Sequence, residues 1–168
     1  MTDLDSGGPK YITRTGDVYR LGYDWSPDGS TIYYSRGYMA DNGGIWIMNG
    51  DGSENKLISD KFQPYTLSIS STGEYIAFMV QGGDKDALFV SRLQEFSPVK
   101  ISDDSAYFFN WASDNDRLAY YGSDSVIKVW HPSDKRVQKG MVREIAKDGY
   151  YPVWARNGGA ILFIRDKV

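Results

Sequence analysis

The chain has 168 residues, a formal net charge of −3 and a hydrophobic content of 41%, which is enough to bury one core. Its Lys and Arg residues are scattered singly, which argues against a basic surface for nucleic acid and against a polybasic membrane patch. The absence of cysteine excludes disulfides and thiolate metal sites.

The chain opens with a polar stretch, MTDLDSGGPKYIT, which lacks the apolar segment of a signal peptide. The last four residues of this stretch, KYIT, match KLIS at 56–59. KLIS is the last predicted strand of the first repeat, which is described in the next paragraph. We therefore predict that residues 1–13 supply the end of one strand, a turn and the outer strand of a sheet whose inner strands come from elsewhere.

Residues 21–64 contain four short strand-like segments, which are LGYDWS, TIYYSR, GIWIMN and KLIS and are here called strands a, b, c and d. The a–b turn contains Pro-Asp-Gly, and the c–d turn contains Asn-Gly and Asp-Gly, the dipeptides that favour tight hairpins. This pattern predicts a four-stranded antiparallel meander.

The same arrangement recurs along the chain, from anchor residues that are 44, 42 and 43 residues apart: Trp25, Ile69, Trp111 and Trp154. Gly or Asn follows each anchor by four positions, and because these residues most readily take positive φ, we expect one turn geometry in all four hairpins. The predicted repeats cover residues 21–64, 65–106, 107–150 and 151–168.

A sheet of this size cannot bury both of its faces alone, and stacking such sheets radially as blades around an axis solves that problem. We expect the anchor tryptophans to fill the space between neighbouring blades. No segment shows a capped apolar stripe of helical period, so the fold is predicted to be all-β. The count is fifteen strands: one outer strand from residues 1–13, three complete blades and a final a–b pair.

The first repeat, WSPDGSTIYYS…GGIWIMNGDGSENKLIS, resembles the TolB-type, WD-like β-propeller repeat, and the match extends over essentially the whole chain. The second repeat departs from it with Ile69 in place of Trp, and the third with Asn115 in place of the turn glycine. The resemblance implies a β-propeller with about 3.5–4 blades in this chain. It also implies a bacterial protein, often extracytoplasmic, that binds a protein or peptide partner.

The two ends of the chain leave three alternatives open. The chain is a fragment of a longer propeller, or it closes as four blades with Met1 to Leu4 as a short c strand. In the third alternative, two copies join end to end, and each completes the broken blade of the other. Propellers that resemble this sequence usually have six or more blades, which favours a partial propeller that belongs to a larger protein or forms a homodimer.

No motif for catalysis, a metal or a cofactor emerges. His131 is the single histidine and no Gly-x-Ser-x-Gly segment is present, so neither a serine hydrolase site nor a histidine-rich metal site is expected. The turn at 49–55, NGDGSEN, has alternating oxygen side chains but lacks the spacing of an EF-hand loop, which favours a hairpin turn.

The rim that carries the d–a and b–c connections has the composition of a recognition surface, aromatic with a polar fringe. The candidate partner-binding residues are Tyr19, Tyr38, Met39, Asp41, Asn42, Phe62, Tyr65, Tyr107 and Tyr150, and Tyr151 and the loop residues Asp84, Lys85 and Asp86 lie on the same rim. In the alternative interpretation, Tyr65, Tyr107 and Tyr151 simply fill the interfaces between blades.

The leading hypothesis is a non-catalytic scaffold that binds a protein or peptide through this rim. The alternative is the propeller portion of a serine peptidase similar to the prolyl-oligopeptidase group, whose catalytic domain lies on sequence absent here. A sugar-acting propeller resembling oligogalacturonate lyases is disfavoured, because those enzymes rely on histidine-rich metal sites.

Overall fold

The computed structural model describes residues 2–3, 8–9, 18–37, 43–102, 105–132 and 140–165, and for 2–3, 8–9 and 18–21 it describes the backbone only. These ranges contain sixteen strands and no helix, so the prediction of an all-β chain built from antiparallel blades is confirmed. Across the same ranges, no helix has the length and apolar character needed to cross a membrane.

The strands follow the order of the predicted repeats. Blade 1 comprises β3 (Val18–Trp25), β4 (Thr31–Arg36), β5 (Gly44–Asn49) and β6 (Lys56–Ser59). Blade 2 comprises β7 (Pro64–Ile69), β8 (Tyr75–Val80), β9 (Ala87–Arg92) and β10 (Val99–Lys100). Blade 3 comprises β11 (Ala106–Trp111), β12 (Leu118–Gly122), β13 (Ile127–His131) and β14 (Met141–Ala146), and blade 4 comprises β15 (Tyr150–Trp154) and β16 (Ile161–Ile164).

Consecutive strands within each blade pair antiparallel, and one parallel bridge, Leu21 with Thr66, joins the inner strands β3 and β7 of blades 1 and 2. The N-terminal segment forms two short strands, β1 (Thr2–Asp3) and β2 (Gly8–Pro9), which pair with each other. The described residues thus contain two short N-terminal strands in addition to the predicted blade strands, and the predicted outer strand at 10–13 lies outside the described residues.

Blade 2 buries its two faces against two different neighbours, as the alternation of side chains along a strand allows. On β8, Ile76 packs with Ile45 of blade 1, whereas the adjacent Ala77 packs in a cluster with Trp111 of blade 3. The hydrophobic cores of the molecule therefore lie between blades, which is the arrangement that the repeat pattern predicts.

The anchor tryptophans do not all behave alike. Trp111 is buried between blades 2 and 3, and its indole N–H donates a hydrogen bond to the carbonyl of Ser68 at 3.2 Å. Trp154 lies under the guanidinium of Arg117 in blade 3, 4.5 Å from the ring centroid. Trp25 remains 39% exposed, and the described residues contain no blade before blade 1 against which it could pack, so the prediction for the first anchor stays a prediction.

The a–b turns share one geometry in three of the four repeats. Gly29, Gly73 and Gly158 have φ values of 70°, 76° and 65°, and each amide donates to the carbonyl three residues earlier. Asn115 does not take positive φ, which corrects the prediction for the third turn. Its side-chain oxygen instead accepts hydrogen bonds from the backbone N–H and the Nε of Arg117, both at 2.9 Å.

Side-chain oxygens immediately before the anchors connect successive blades. Asp24 accepts hydrogen bonds from the hydroxyl of Ser68 at 2.7 Å and from the amide of Ile69 at 2.9 Å. Asn110 accepts one from the amide of Trp154 at 3.0 Å. These bonds fix the inner strand of one blade against the inner strand of the next and so position the residues around the axis.

Candidate functional site

The candidate site lies on the rim where the chain enters the inner strands. There, the phenol of Tyr65, at the start of β7, donates a hydrogen bond to the carboxylate of Asp86 at 2.8 Å. Asp86 belongs to the loop between β8 and β9, so the d–a and b–c connections meet on one rim. On the opposite rim, the amide of Gly50 in a c–d turn donates to the carbonyl of Ser30 in an a–b turn.

A register shift interrupts the pairing of every inner strand with its neighbour, and in three blades it falls at a rim tyrosine. The shifts lie between Pro64 and Thr66, between Ala106 and Phe108, and between Tyr150 and Val153. They release Tyr65, Tyr107 and Tyr151 from the regular ladder. A bulge of this kind redirects a side chain, so it turns these tyrosines away from ordinary positions on the sheet face.

Between the inner strands is an aromatic cavity of about 370 Å³. Its lining, here called the axial tyrosine cavity, consists of Tyr23, Tyr65, Thr66, Ser68, Met79, Tyr107, Phe108 and Phe109. The volume is within the range of about 300–1,000 Å³ that is typical of small-ligand sites. Aromatic walls with a few hydroxyls suit an apolar or aromatic group that carries hydrogen-bonding atoms.

Tyr65 forms the inner wall of this cavity. Its ring packs against the core between blades 2 and 3, and its hydroxyl is held by Asp86. Burial raises the pKa of Tyr65 far above its usual value, and the hydrogen bond to Asp86 and the charge of that carboxylate add to the effect. The side chain is therefore a neutral and fixed part of the cavity wall.

A cluster of four tyrosines extends from the cavity toward blade 4. The ring of Tyr121 makes edge contacts with Tyr107, Tyr150 and Tyr151, at centroid distances of 5.9, 5.7 and 5.4 Å. Burial, together with a hydrogen bond to Tyr151, raises the pKa of Tyr121 to about 12. The outer members of the cluster are accessible, since Tyr107 is 54% and Tyr151 53% exposed.

Tyr151 also has an unusual backbone, with a φ of 51°. A bulky residue other than glycine in this region of φ and ψ carries strain of order 1–3 kcal/mol. The strain falls at the bulge in β15, directly before the buried Pro152. The blade therefore holds an exposed aromatic ring on the rim at a cost in backbone energy.

The predicted site residues have different positions. Tyr65 and Tyr107 line the axial tyrosine cavity, and Tyr150 contacts Tyr121 at its edge. Phe62 instead packs against Phe78 and Phe89, at 5.3 and 5.2 Å, in the core between blades 1 and 2. Only the backbone of Tyr19 is described, and Tyr38, Met39, Asp41 and Asn42 lie outside the described residues.

Four aromatic residues of the site were not among the candidates. Tyr23, Phe108 and Phe109 line the cavity, and Tyr121 is the centre of the tyrosine cluster. Tyr23 and Phe108 lie inside predicted inner strands, where alternation alone does not separate an axial side chain from one buried between blades. The alternative in which rim tyrosines fill the blade interfaces applies in part to Tyr65 and to Tyr151, whose ring contacts Phe108 and Tyr121 of blade 3, but not to the exposed Tyr107.

Within the described ranges, no three His, Cys, Asp or Glu side chains are grouped so that they could hold a metal ion. His131 lies at the end of β13, where it pairs with Met141. The expectation that the chain has no catalytic site stays a prediction.

No family model and no curated protein sequence matches this chain. Solved structures do. TolB from Acinetobacter baumannii is 16% identical with a TM-score of 0.66, and the match covers 98% of this chain and 42% of that protein. A structure from a nidogen/laminin complex is 13% identical with a TM-score of 0.62, over 96% of this chain and 61% of that one.

The acylaminoacyl peptidase of Pyrococcus horikoshii is 18% identical with a TM-score of 0.54, over 90% of this chain and 29% of that enzyme. Identities this low establish the fold alone. The fold is a β-propeller similar to that of TolB, and the chain spans less than two thirds of each of these three structures.

Proposed function

We propose that the chain is a non-catalytic scaffold that binds a protein or peptide on the rim of the d–a and b–c connections. The observation that carries this proposal is the axial tyrosine cavity, whose neighbouring rings Tyr107 and Tyr151 project from bulges and are more than half exposed. Tyrosine is enriched in protein recognition surfaces because it combines a large apolar ring with a polar tip.

Two further observations support a protein or peptide partner. One similar propeller was solved as part of a nidogen/laminin complex, that is, in an assembly of proteins. In addition, the rings of Tyr107 and Tyr151 both contact Tyr121, so together they form a continuous aromatic surface that a bound peptide could cover. Most of the binding energy of such a peptide would come from the burial of these rings.

The proposal is tested by selecting random peptides on the immobilised chain and measuring their affinity for variants. The double variant Tyr107→Ser, Tyr151→Ser should bind the selected peptides at least about tenfold more weakly, a loss of about 1.4 kcal/mol. Met141→Ser removes a similarly exposed apolar side chain, 55% accessible on the outer strand β14, and should leave the affinity unchanged. Equal binding to all three proteins would refute the proposed site.

A second candidate follows from the similarity to the acylaminoacyl peptidase. In that case the propeller would orient peptides for a hydrolase domain encoded in the same reading frame. A serine-reactive fluorophosphonate distinguishes a catalytic chain from both candidates, because neither assigns a nucleophile to residues 1–168. We expect no labelling, and stoichiometric labelling of a serine would contradict the proposal that the chain is non-catalytic.

A further inference from the structure

The axial tyrosine cavity has a composition that favours positive charge. Its described lining combines five aromatic rings with the sulfur of Met79 and contains no Lys, Arg or His. An aromatic ring carries negative charge on its face, and a thioether sulfur is a weak hydrogen-bond acceptor. The lining therefore attracts a cation, and its described part provides no positive group that would hold an anion.

Two hydroxyls of the lining can act toward a ligand only as acceptors. The hydroxyl of Tyr65 donates to the carboxylate of Asp86 at 2.8 Å, and that of Ser68 donates to Asp24 at 2.7 Å. Each hydroxyl has a single proton, and that proton is already used. A ligand that pairs with these two oxygens must therefore bring its own N–H or O–H donors.

The same two hydrogen bonds place two carboxylates directly behind the lining. Asp24 lies on β3 of blade 1 and Asp86 lies in the loop before β9 of blade 2, and both are half-buried. Among the side chains that the structure describes, no Lys or Arg forms an ion pair with either carboxylate. Two negative charges thus act on the cavity from neighbouring blades, and a bound cation would be attracted to both.

Arginine already fills this kind of environment elsewhere in the molecule. The guanidinium of Arg117 lies 4.5 Å from the ring centroid of Trp154, while its N–H groups donate to the side chain of Asn115 at 2.9 Å and to the carbonyl of Gly158 at 2.8 Å. Three more arginines lie over aromatic rings in the described part of the chain, and none of the four covered rings lines the cavity.

From these observations we propose that the axial tyrosine cavity binds the guanidinium group of an arginine side chain on the partner peptide. This inference rests on the proposed function and names the residue by which the partner is anchored. A guanidinium is planar, weakly hydrated and carries five N–H donors, so it stacks on aromatic rings and satisfies acceptor oxygens at the same time. A lysine ammonium is a strongly hydrated point charge and should bind less tightly.

A small arginine analogue tests the cavity without any selected peptide. N-acetyl-arginine methylamide is titrated into protein that carries ¹³C-labelled methionine methyl groups, and Met79, in the cavity lining, is the reporter. We expect a saturable shift of the Met79 methyl signal with a dissociation constant on the order of 1 mM, as is usual for ligands of this size. Met48, which packs with Ile32 and Tyr34 in blade 1, is the internal control and should not respond.

The neutral citrulline analogue has nearly the same shape and should bind at least about tenfold more weakly, since it lacks the charge. The lysine analogue should also bind more weakly than the arginine analogue. Equal affinity for the citrulline analogue, or no saturable shift of Met79 with the arginine analogue, would overturn the inference.

Variants place the charge effect in the cavity. Thr66→Lys adds a cation to the lining and should abolish binding, whereas Gln94→Lys adds the same charge at an exposed position in the c–d turn of blade 2 and should not. Asp86→Asn keeps an acceptor for Tyr65 but removes the charge, and should weaken binding at least about threefold.

Asp84→Asn, at an exposed position of the same loop, is the control for Asp86→Asn and should bind the analogue like the unmodified chain. The measurements are made at roughly 0.15 M salt, where exposed charges more than about 8 Å away are screened. Equal effects of Asp86→Asn and Asp84→Asn would contradict a charge that acts at the cavity.

Peptides selected on the immobilised chain separate this inference from the proposed function. Replacing their arginine by citrulline should lower the affinity at least about tenfold. If the peptides depend on Tyr107 and Tyr151 but tolerate citrulline, the arginine site is refuted and the proposed function stands. If the arginine analogue shifts Met79 while no peptide depends on Tyr107 and Tyr151, the arginine site is supported and the proposed peptide surface fails.

Discussion

The carboxylate of Asp24 in blade 1 accepts a hydrogen bond from the backbone amide of Ile69 at 2.9 Å. Ile69 is the last residue of β7, the inner strand of blade 2. Asn110 makes the equivalent bond to Trp154. These bonds join neighbouring blades through backbone amides, and the side-chain acceptor is the part of the connection that a substitution can remove without altering the backbone.

We expect Asp24→Ala to destabilise the fold by about 1–3 kcal/mol, because it leaves the Ile69 amide and the Ser68 hydroxyl without their acceptor. Asp24→Asn keeps a side-chain oxygen and should cost less. Asp51→Ala is the control, since it removes an exposed acceptor within a single c–d turn. Urea unfolding followed by tryptophan fluorescence measures all three, and equal losses for Asp24→Ala and Asp51→Ala would contradict the interblade role.

Asp28 predicts a dependence of stability on acid pH. Hydrogen bonds from the Ser26 hydroxyl, then from the amide and hydroxyl of Ser30, lower the pKa of Asp28 from 3.8 to about 2. Because the folded-state pKa is the lower one, the contribution of this carboxylate to stability is complete above pH 3.8 and is lost as the pH falls toward 2.

A carbon-detected NMR titration measures the Asp28 value. Ser26→Ala removes the largest cause and should raise the pKa of Asp28 toward 3.8, while Ser53→Ala in the c–d turn should leave it unchanged. A titration of Asp28 that is indifferent to Ser26 would show that the turn hydrogen bonds do not set its pKa.

Substitution of the turn glycines and substitution of Asn115 should both destabilise the fold, but for different physical reasons. Gly29 has positive φ, and no atom lies within 4 Å of the position that an added Cβ would take. Gly29→Ala should therefore lower the free energy of unfolding by roughly 1–2 kcal/mol through backbone strain alone. Asn115→Gly should also destabilise, because glycine is not needed there and the hydrogen bonds to Arg117 are lost. If Asn115→Gly were stabilising in thermal unfolding, the third turn would require positive φ after all.

Alkaline pH should destabilise the tyrosine cluster. Burial raises the pKa of Tyr121 from 10.0 to about 12, so its contribution to stability is complete below pH 10 and is lost as the pH rises through 12. Tyr121→Phe should therefore reduce the loss of stability between these values.

Near-ultraviolet absorbance provides the direct measurement. Burial raises the pKa of Tyr33, Tyr34, Tyr65 and Tyr121, so these four should ionise late in the folded protein, whereas in urea all 13 tyrosines should titrate together. A folded protein that titrates like the unfolded chain would contradict the burial of these phenols.

The repeat spacing was sufficient to predict the blades, because burial between stacked sheets imposes the same apolar positions every 42 to 44 residues. The site was only partly predictable. The sequence pattern placed Tyr65 and Tyr107 near the starts of inner strands but could not show the bulges that redirect them, since a bulge arises from how two strands pair. Phe62 looked like a rim residue because spacing alone does not show that its ring turns inward onto Phe78.

Asn115 shows a related limit of pattern matching. Asparagine can take positive φ, but its side-chain oxygen can also close a turn by accepting hydrogen bonds, and here Arg117 provides the donors. Which of these two turn conformations forms therefore depends on a residue two positions away and not on the repeat pattern.

The alternation of Ile76 and Ala77 between two cores has a consequence for biosynthesis. A blade leaving the ribosome has an apolar side with nothing to cover it until the following 42 to 44 residues have been made. At translation speeds of about 5–20 residues per second, that wait lasts about 2–9 seconds. During that interval we expect the nascent chain to bind chaperones that recognise exposed apolar strands.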